Sequence, residues 1–246
     1  MGDLFRGANC FARGLSLMSR PGLRRYVMTP FLIGVAVFVA LVWFGASQFG
    51  ALVDYLIEQS PSWLAWARWL LWILFAIVAA GIVFFAYALV VGLAAAPFHG
   101  VLADATERYL TGRGPPEVPL GKTLVRLPIT LLDELTKVAY SLACTLPILL
   151  LFLVPGLNVA APFLWFVACA WVTGFGFADY ALSNHGLKFA GIRRRLARRR
   201  MLTLGFGAMA FLAFMVPVFN LIAVPAAVCG GAVMWVEELA RDESAA

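Results

Sequence analysis

Residues 63–98 read WLAWARWLLWILFAIVAAGIVFFAYALVVGLAAAPF, apolar throughout except for Arg68. Such a run crosses a bilayer core about 30 Å thick, which takes about 20 helical residues, and projects beyond it. Trp63, Trp66, Trp69 and Trp72 recur every third residue at its start. That is the pattern of an interfacial aromatic belt with Arg68 snorkelling beside it; the other reading is a ligand-stacking surface. Upstream, a first run is apolar from Phe31 to Ala46 and continues with few charges to Ile57. Composition agrees, with 63% hydrophobic residues, 13% charged and a mean hydropathy of +0.89 over 246 residues. Soluble domains are about one quarter charged, so the chain reads as an all-α integral membrane protein.

The later apolar stretches differ from these two long ones. Val138 to Leu153 contains Pro147, breaks at Val154-Pro155-Gly156-Leu157-Asn158, and resumes to Phe177. Leu204 to Met215 has 12 residues before Val216-Pro217-Val218-Phe219-Asn220 and a second arm to Val236. Twelve helical residues cover about 18 Å, too short to cross the hydrocarbon. Each pair of arms therefore reads as a hairpin that enters and leaves on one side, its turn buried in protein or lining a wet cavity. The breaks align as an internal repeat, with Pro155 and Asn158 matching Pro217 and Asn220. Pro162 matches Pro225, and Trp171-Val172 matches Trp235-Val236. Transporter folds carry repeats with broken helices near the substrate; proline and asparagine serving turn geometry alone is the alternative.

Charge orients the chain. The first 25 residues carry five Arg against one acid, and the loop from Gln48 to Ser62 holds Asp54 and Glu58 without a base. Pro97 to Lys137 holds five Lys or Arg and Ala178 to Thr203 holds seven, and this count of basic residues places the N-terminus, both polar segments and the C-terminus in the cytoplasm. The expected divisions are an N-terminal segment (1–26), two transmembrane helices (27–98) and a cytoplasmic helical segment (99–137). Hairpin 1 (138–177), a basic linker helix (178–203), hairpin 2 (204–236) and an acidic tail (237–246) complete them. The first apolar run is too long for a cleavable signal. The net charge of +6 falls in blocks beside apolar runs, which argues against nucleic acid as a partner. Cys10, Cys144, Cys169 and Cys229 show no paired spacing for a disulfide framework or zinc site.

The most informative polar stretch is Ser19-Arg20-Pro21-Gly22-Leu23-Arg24-Arg25-Tyr26, just before the first span. A turn on Pro21-Gly22 followed by backbone N–H groups and paired guanidinium groups suits a small oxyanion. An anchor that binds lipid phosphate is the alternative. A second cluster is Asp104, Glu107 and Arg108, with Arg108 four residues after Asp104; it reads either as a pore gate or as a solvated helix face. The run Arg193-Arg194-Arg195 with Arg198-Arg199-Arg200 reads as an anion funnel or as a contact with anionic headgroups. Asn184 and His185 are expected to cap or brace a turn. No metal pair stands out, because the only other histidine is His99. Gly121-Lys122-Thr123 resembles the end of a phosphate-binding loop, but Pro115, Pro116 and Pro119 cannot form its nest of amides. No nucleophile-base arrangement stands out, and neither an enzyme nor a cofactor is expected.

Together these residues resemble the CysZ family of bacterial sulfate permeases. The matching pieces are Leu17 through Pro30 (LMSRPGLRRYVMTP), Ala96-Pro97-Phe98-His99-Gly100, Asn184-His185, and Gly205-Phe206-Gly207 to Pro217. Asn220-Leu221 to Pro225, Cys229-Gly230 and Trp235-Val236 continue the match in the family's order. The one departure is His99, where asparagine is expected in a Pro-Phe-x-Gly turn. The resemblance implies two long transmembrane helices plus two partly penetrating hairpins, assembled as homo-oligomers in the bacterial inner membrane. It also implies high-affinity sulfate uptake feeding cysteine synthesis, with Gly22, Leu23, Arg24 and Arg25 as the sulfate site. Sulfate wants donors only: N–H groups at Gly22 and Leu23 and the forks of Arg24 and Arg25 supply them. No carboxylate lies between Arg6 and Arg25 to accept the proton of a phosphate. A non-transporting scaffold and a sulfate sensor are the rival functions.

Overall fold

The computed structural model describes residues 2–58, 67–114 and 120–240, and among these it is all-helical. The helices are α1 (Gly2–Leu17), α2 (Arg24–Glu58), α3 (Ala67–Thr111) and α4 (Leu120–Leu151). After them come α5 (Ala161–Asn184), α6 (Phe189–Arg198), α7 (Arg200–Phe214) and α8 (Pro217–Met234). A π-helical turn, Trp235–Leu239, ends the described chain, closed by the Ala240 N–H donating to Trp235 O at 2.8 Å. Trp63, Trp66, the Arg68 side chain, Pro115, Pro116, Pro119 and residues 241–246 lie outside the described residues.

Contacts divide the chain into two units, residues 25–98 and residues 1–24 with 99–246. In the first, α2 exposes Leu32, Val39, Trp43 and Phe44, and α3 exposes Trp69, Trp72 and Ile77. Large apolar side chains turned outward on both helices are those of a lipid-facing surface. Phe49 and Trp72 meet edge-on at 5.2 Å. At 45 residues α3 is about 67 Å long, more than twice a bilayer core. It continues as helix through Pro97-Phe98-His99-Gly100, so this segment is not the turn its sequence suggests. The division between units falls at Phe98 and His99, beside the residue whose missing N–H removes one helical bond.

The second unit is a bundle in which α1, α5, α7 and α8 pack on one another. Residues 1–26, expected as an N-terminal anion-binding segment, also supply a helix to this bundle. Gly7, Cys10, Phe11, Gly14 and Leu17 form a buried stripe along α1. A methyl group on Gly7 would overlap Leu202 O, and one on Gly14 would overlap Ala226 O and Gly230 N. The backbones of α1, α7 and α8 therefore touch directly. In a bilayer, where burying apolar surface gains little, close van der Waals packing over small residues is what joins helices. Ala223, Ala226, Ala227 and Ala232 keep α8 equally slim, and Phe206, Leu182, Val228 and Met234 fill the centre.

Helix α4 packs on α5 and α7 on α8, and the two connections share one detail. Asn158 N–H donates to Val154 O at 3.1 Å, and at the aligned position Asn220 N–H donates to Val216 O at 2.9 Å. The turns otherwise differ. Residues 152–160 separate α4 from α5, with Gly156 at φ +88°, whereas only Met215 and Val216 separate α7 from α8. Val216 is extended and Pro217 opens α8, a position where its missing N–H costs nothing. Among the described residues, three helical stretches are long and apolar enough to cross a membrane: Arg24–Gly50, Ala161–Asn184 and Ile222–Leu239.

Candidate anion-binding turn and its ion pairs

The chain leaves α1 at Leu17 and turns on Arg20. The Arg20 N–H donates to Leu17 O at 2.9 Å, and Arg20 O accepts both the Leu23 N–H at 3.1 Å and the Arg24 N–H at 3.2 Å. Gly22 sits at φ +99° with open space where a Cβ would stand, so conformation rather than crowding requires glycine there. Leu23 is 2% exposed and pins the turn. Its N–H is already given to Arg20 O, which corrects the expectation that it would point at an anion. Arg24 and Arg25 open α2 with exposed side chains. Arg25 Nη2 donates to Tyr26 Oη at 3.0 Å, and its guanidinium lies 4.8 Å from the Tyr26 ring. The first amides of a helix have no intrahelical acceptor and carry its positive dipole end. Two exposed arginine side chains stand at that end.

The second cluster is split by the structure. Arg108 Nε donates to Asp104 Oδ1 at 2.7 Å and Nη2 to Oδ2 at 3.3 Å, on a half-exposed face of α3. Glu107 turns elsewhere and is 7% exposed. Both its oxygens lie 2.9–3.0 Å from His185 Nε2. Asn184 Nδ2 donates to Gly100 O at 2.9 Å. Asn184 and His185 thus brace the end of α5 against α3, beyond capping their own turn. His185 also packs on Trp235 at 4.7 Å, and the Arg195 guanidinium lies 5.3 Å from the centroid of that indole. His99 meets Tyr180 edge-on at 5.1 Å. Among the described residues no cluster of His, Cys, Asp and Glu is arranged to hold a metal.

One further ion pair and one ion-pair network went unmarked in the sequence. Lys137 Nζ on α4 donates to Asp179 Oδ2 on α5 at 2.5 Å, with the Asp179 side chain only 5% exposed. The signal that marks this pair is an acid inside the apolar stretch that ends at Asn184. The other is a network around Arg199, between α6 and α7. Its Nη2 and Nε donate to the two Asp3 oxygens at 2.7 and 3.3 Å. Its Nη1 donates to Glu238 O at 2.9 Å and pairs with the Glu238 carboxylate at 3.0 Å. Arg13 pairs with Glu237, so both ends of α1 are tied to the π-turn. The guanidinium bond holds the Asp3 carboxyl below its ordinary value, and the same bond raises the Arg199 pKa. Burial, with Glu238 and Glu237 nearby, pushes the Cys10 thiol up to about 12, so it stays protonated and inert.

The family model of sulfate transporter CysZ/etoposide-induced protein 2.4 matches residues 10–225. The chain belongs to that family. A protein of Pseudomonas paraeruginosa named sulfate transporter CysZ is 36% identical over 233 residues, covering 94% of this chain and 95% of its own. Proteins of the same name from Pseudomonas aeruginosa and Pseudomonas fluorescens are 35% and 33% identical over the same length. The CysZ family is one of transporters, and this member is not an enzyme. The matched region includes the Gly22–Arg25 turn and the Asp104, Glu107 and Arg108 cluster, and stops short of Glu237 and Glu238.

Proposed function

We propose that this chain carries sulfate across the bacterial inner membrane at high affinity and supplies it to cysteine synthesis. The observation that carries the reading is the likeness to sulfate transporters along 94% of the chain. Gly22, Leu23, Arg24 and Arg25 form the sulfate site. Gly22 makes the turn, Leu23 anchors it, and Arg24 and Arg25 supply charge and forked donors to a dianion that has no proton to give. The Arg108–Asp104 pair and Glu107 gate the path, since a half-exposed guanidinium can exchange a carboxylate for a passing anion. In this arrangement α2 and α3 span the bilayer while α4–α5 and α7–α8 enter from one side. The 15-residue α7, about 22 Å, is too short to cross. Copies of the chain assemble into homo-oligomers within the membrane, and membrane lipid is their other partner.

The test is radiolabelled sulfate flux into proteoliposomes, with binding measured on the same preparation, for wild type, Arg24→Ala/Arg25→Ala and Arg108→Ala. Saturable flux that the double variant loses together with binding supports the permease and its site. Binding without flux in the wild type overturns transport and leaves a sensor or scaffold. Unchanged flux in Arg108→Ala removes the gate alone.

A further inference from the structure

From Tyr180 to Val236 the chain contains no Asp or Glu, yet it holds Lys188 and six arginines, Arg193, Arg194, Arg195, Arg198, Arg199 and Arg200. The structure divides these cations. Arg195 lies over the Trp235 indole and Arg199 binds Asp3 and Glu238, so both are committed within the bundle. Lys188, Arg193, Arg194, Arg198 and Arg200 are exposed. On the opposite face of α6, Ile192 and Leu196 are buried, and the helix packs on α5 and α7. One face is therefore fixed to the protein, and the other is a cationic surface with no acid in its own segment to neutralise it.

The depth of that surface follows from its connections. Helix α5, long and apolar enough to cross a membrane, ends at Asn184. Residues 185–188 join it to α6 and reach at most about 14 Å. Helix α7, apolar again, starts immediately after Arg199. A helix held so closely between two apolar helices lies near the headgroup layer, about 5–7 Å thick on each side of the hydrocarbon. Guanidinium forks match phosphate oxygens bidentately, and juxtamembrane basic clusters draw anionic lipid.

We propose that the outer face of α6, formed by Arg193, Arg194 and Arg198 with Lys188 and Arg200 at its ends, docks on the phosphate groups of anionic phospholipids. The lipid contact fixes this helix at the membrane surface. An anion funnel would need the arginines to converge, whereas here two of the six turn inward to other partners and the rest spread over an outer face. The proposal stands apart from sulfate transport and does not depend on it.

The experiment uses the full chain in nanodiscs of phosphatidylcholine containing phosphatidylglycerol, with the preference for phosphatidylglycerol measured by native mass spectrometry of the released complexes. Arg193→Gln/Arg194→Gln/Arg198→Gln is expected to lower that preference on the order of 100-fold. The corresponding triple lysine variant keeps most of it, because attraction to a headgroup needs charge more than fork geometry. Thermal midpoints in phosphatidylcholine alone show that both variants fold. An unchanged preference in the glutamine variant overturns the proposal, as does its loss in the lysine variant. Competition by millimolar inorganic phosphate also overturns it, assigning the face to a free anion instead of lipid. Displacement of the lipid by single-stranded RNA would overturn it in favour of a nucleic-acid surface.

Discussion

Along α7 and α8 the backbone itself is a contact surface, whereas α4 and α5 meet through the ends of their side chains. Gly205 lies against Leu4 O, Gly207 against Ala170 O and Gly231 against Phe177 O, with no room for a methyl group at any of them. Across α4 and α5 the contacts are the Lys137–Asp179 pair, the Trp171 Nε1–H donating to Tyr140 Oη at 2.8 Å, and the edge-on Phe152–Trp165 pair. The tip of this first hairpin leaves Leu153, Val159 and Phe163 more than 70% exposed. Aligned sequence breaks thus sit between differently packed helices. Helices α5, α7 and α8 share a close-packed bundle with α1, in which Gly174 of α5 also lies against Thr203 O, whereas α4 joins it through side chains. What separates α4 from the others is the absence of such glycine contacts along its described residues.

The largest effect should come from breaking the backbone contact. Gly14→Leu would drive a side chain into Ala226 O and Gly230, and α1 would have to leave the bundle. We expect a loss of about 3–5 kcal/mol, seen as a large drop in thermal midpoint in detergent. Gly176→Leu on α5 is the matched comparison, because nothing lies within 4 Å of where its Cβ would stand. It should change stability by less than about 1 kcal/mol. Equal effects at the two positions would mean that glycine contacts do not set the regime.

The side-chain regime is tested at the base of the first hairpin. Lys137→Met removes the ammonium 2.5 Å from a carboxylate whose residue is 4% exposed. Taking one partner from a buried ion pair costs about 3–5 kcal/mol in well-buried cases, and the 18% exposure of the Lys137 side chain puts this one toward or below the lower end. Lys137→Met/Asp179→Leu should recover most of the loss, since a fitted apolar pair needs no compensating charge. A double variant as unstable as the sum of the two singles would show that the residues do not act as a pair.

Much of this fold was legible because membrane solvation writes itself into runs of one residue class. The long helices, the two breaks, the aligned asparagines and the Pro21-Gly22 turn all follow from hydropathy, proline and glycine. The role of α1 was not legible in the same way. Its buried stripe contains two glycines and one cysteine, residues that register weakly as core. The partners of Glu107 and Asp179 were equally hidden. His185 and Lys137 lie far from them in sequence, and only the packing of α5 on α3 and α4 brings each pair together. At the candidate site the residue types were legible, but the capture of the Leu23 N–H by Arg20 O was not. A turn's internal hydrogen bonds depend on dihedral angles that residue identity leaves open.

The smallest expected effect sharpens the comparison from the other side of the bundle, where charge supplements glycine contact. Asp3 binds Arg199 through both oxygens, and this bond holds its folded-state pKa below the ordinary value of 3.8. A depressed carboxylate pKa means that the native state favours the ionised form. Its stabilising contribution is therefore full above the ordinary value and disappears as pH falls through the lower folded-state value. With 38% of the Asp3 side chain exposed, solvent screens much of the pair, and the change in stability should be modest. Thermal midpoints of wild type and Asp3→Asn should run parallel above about pH 5 and converge as pH falls through the acid range. Every other group is common to both proteins, so the difference between the curves isolates Asp3. A constant difference down to the lowest pH would mean that Asp3 contributes to holding α1 without its charge.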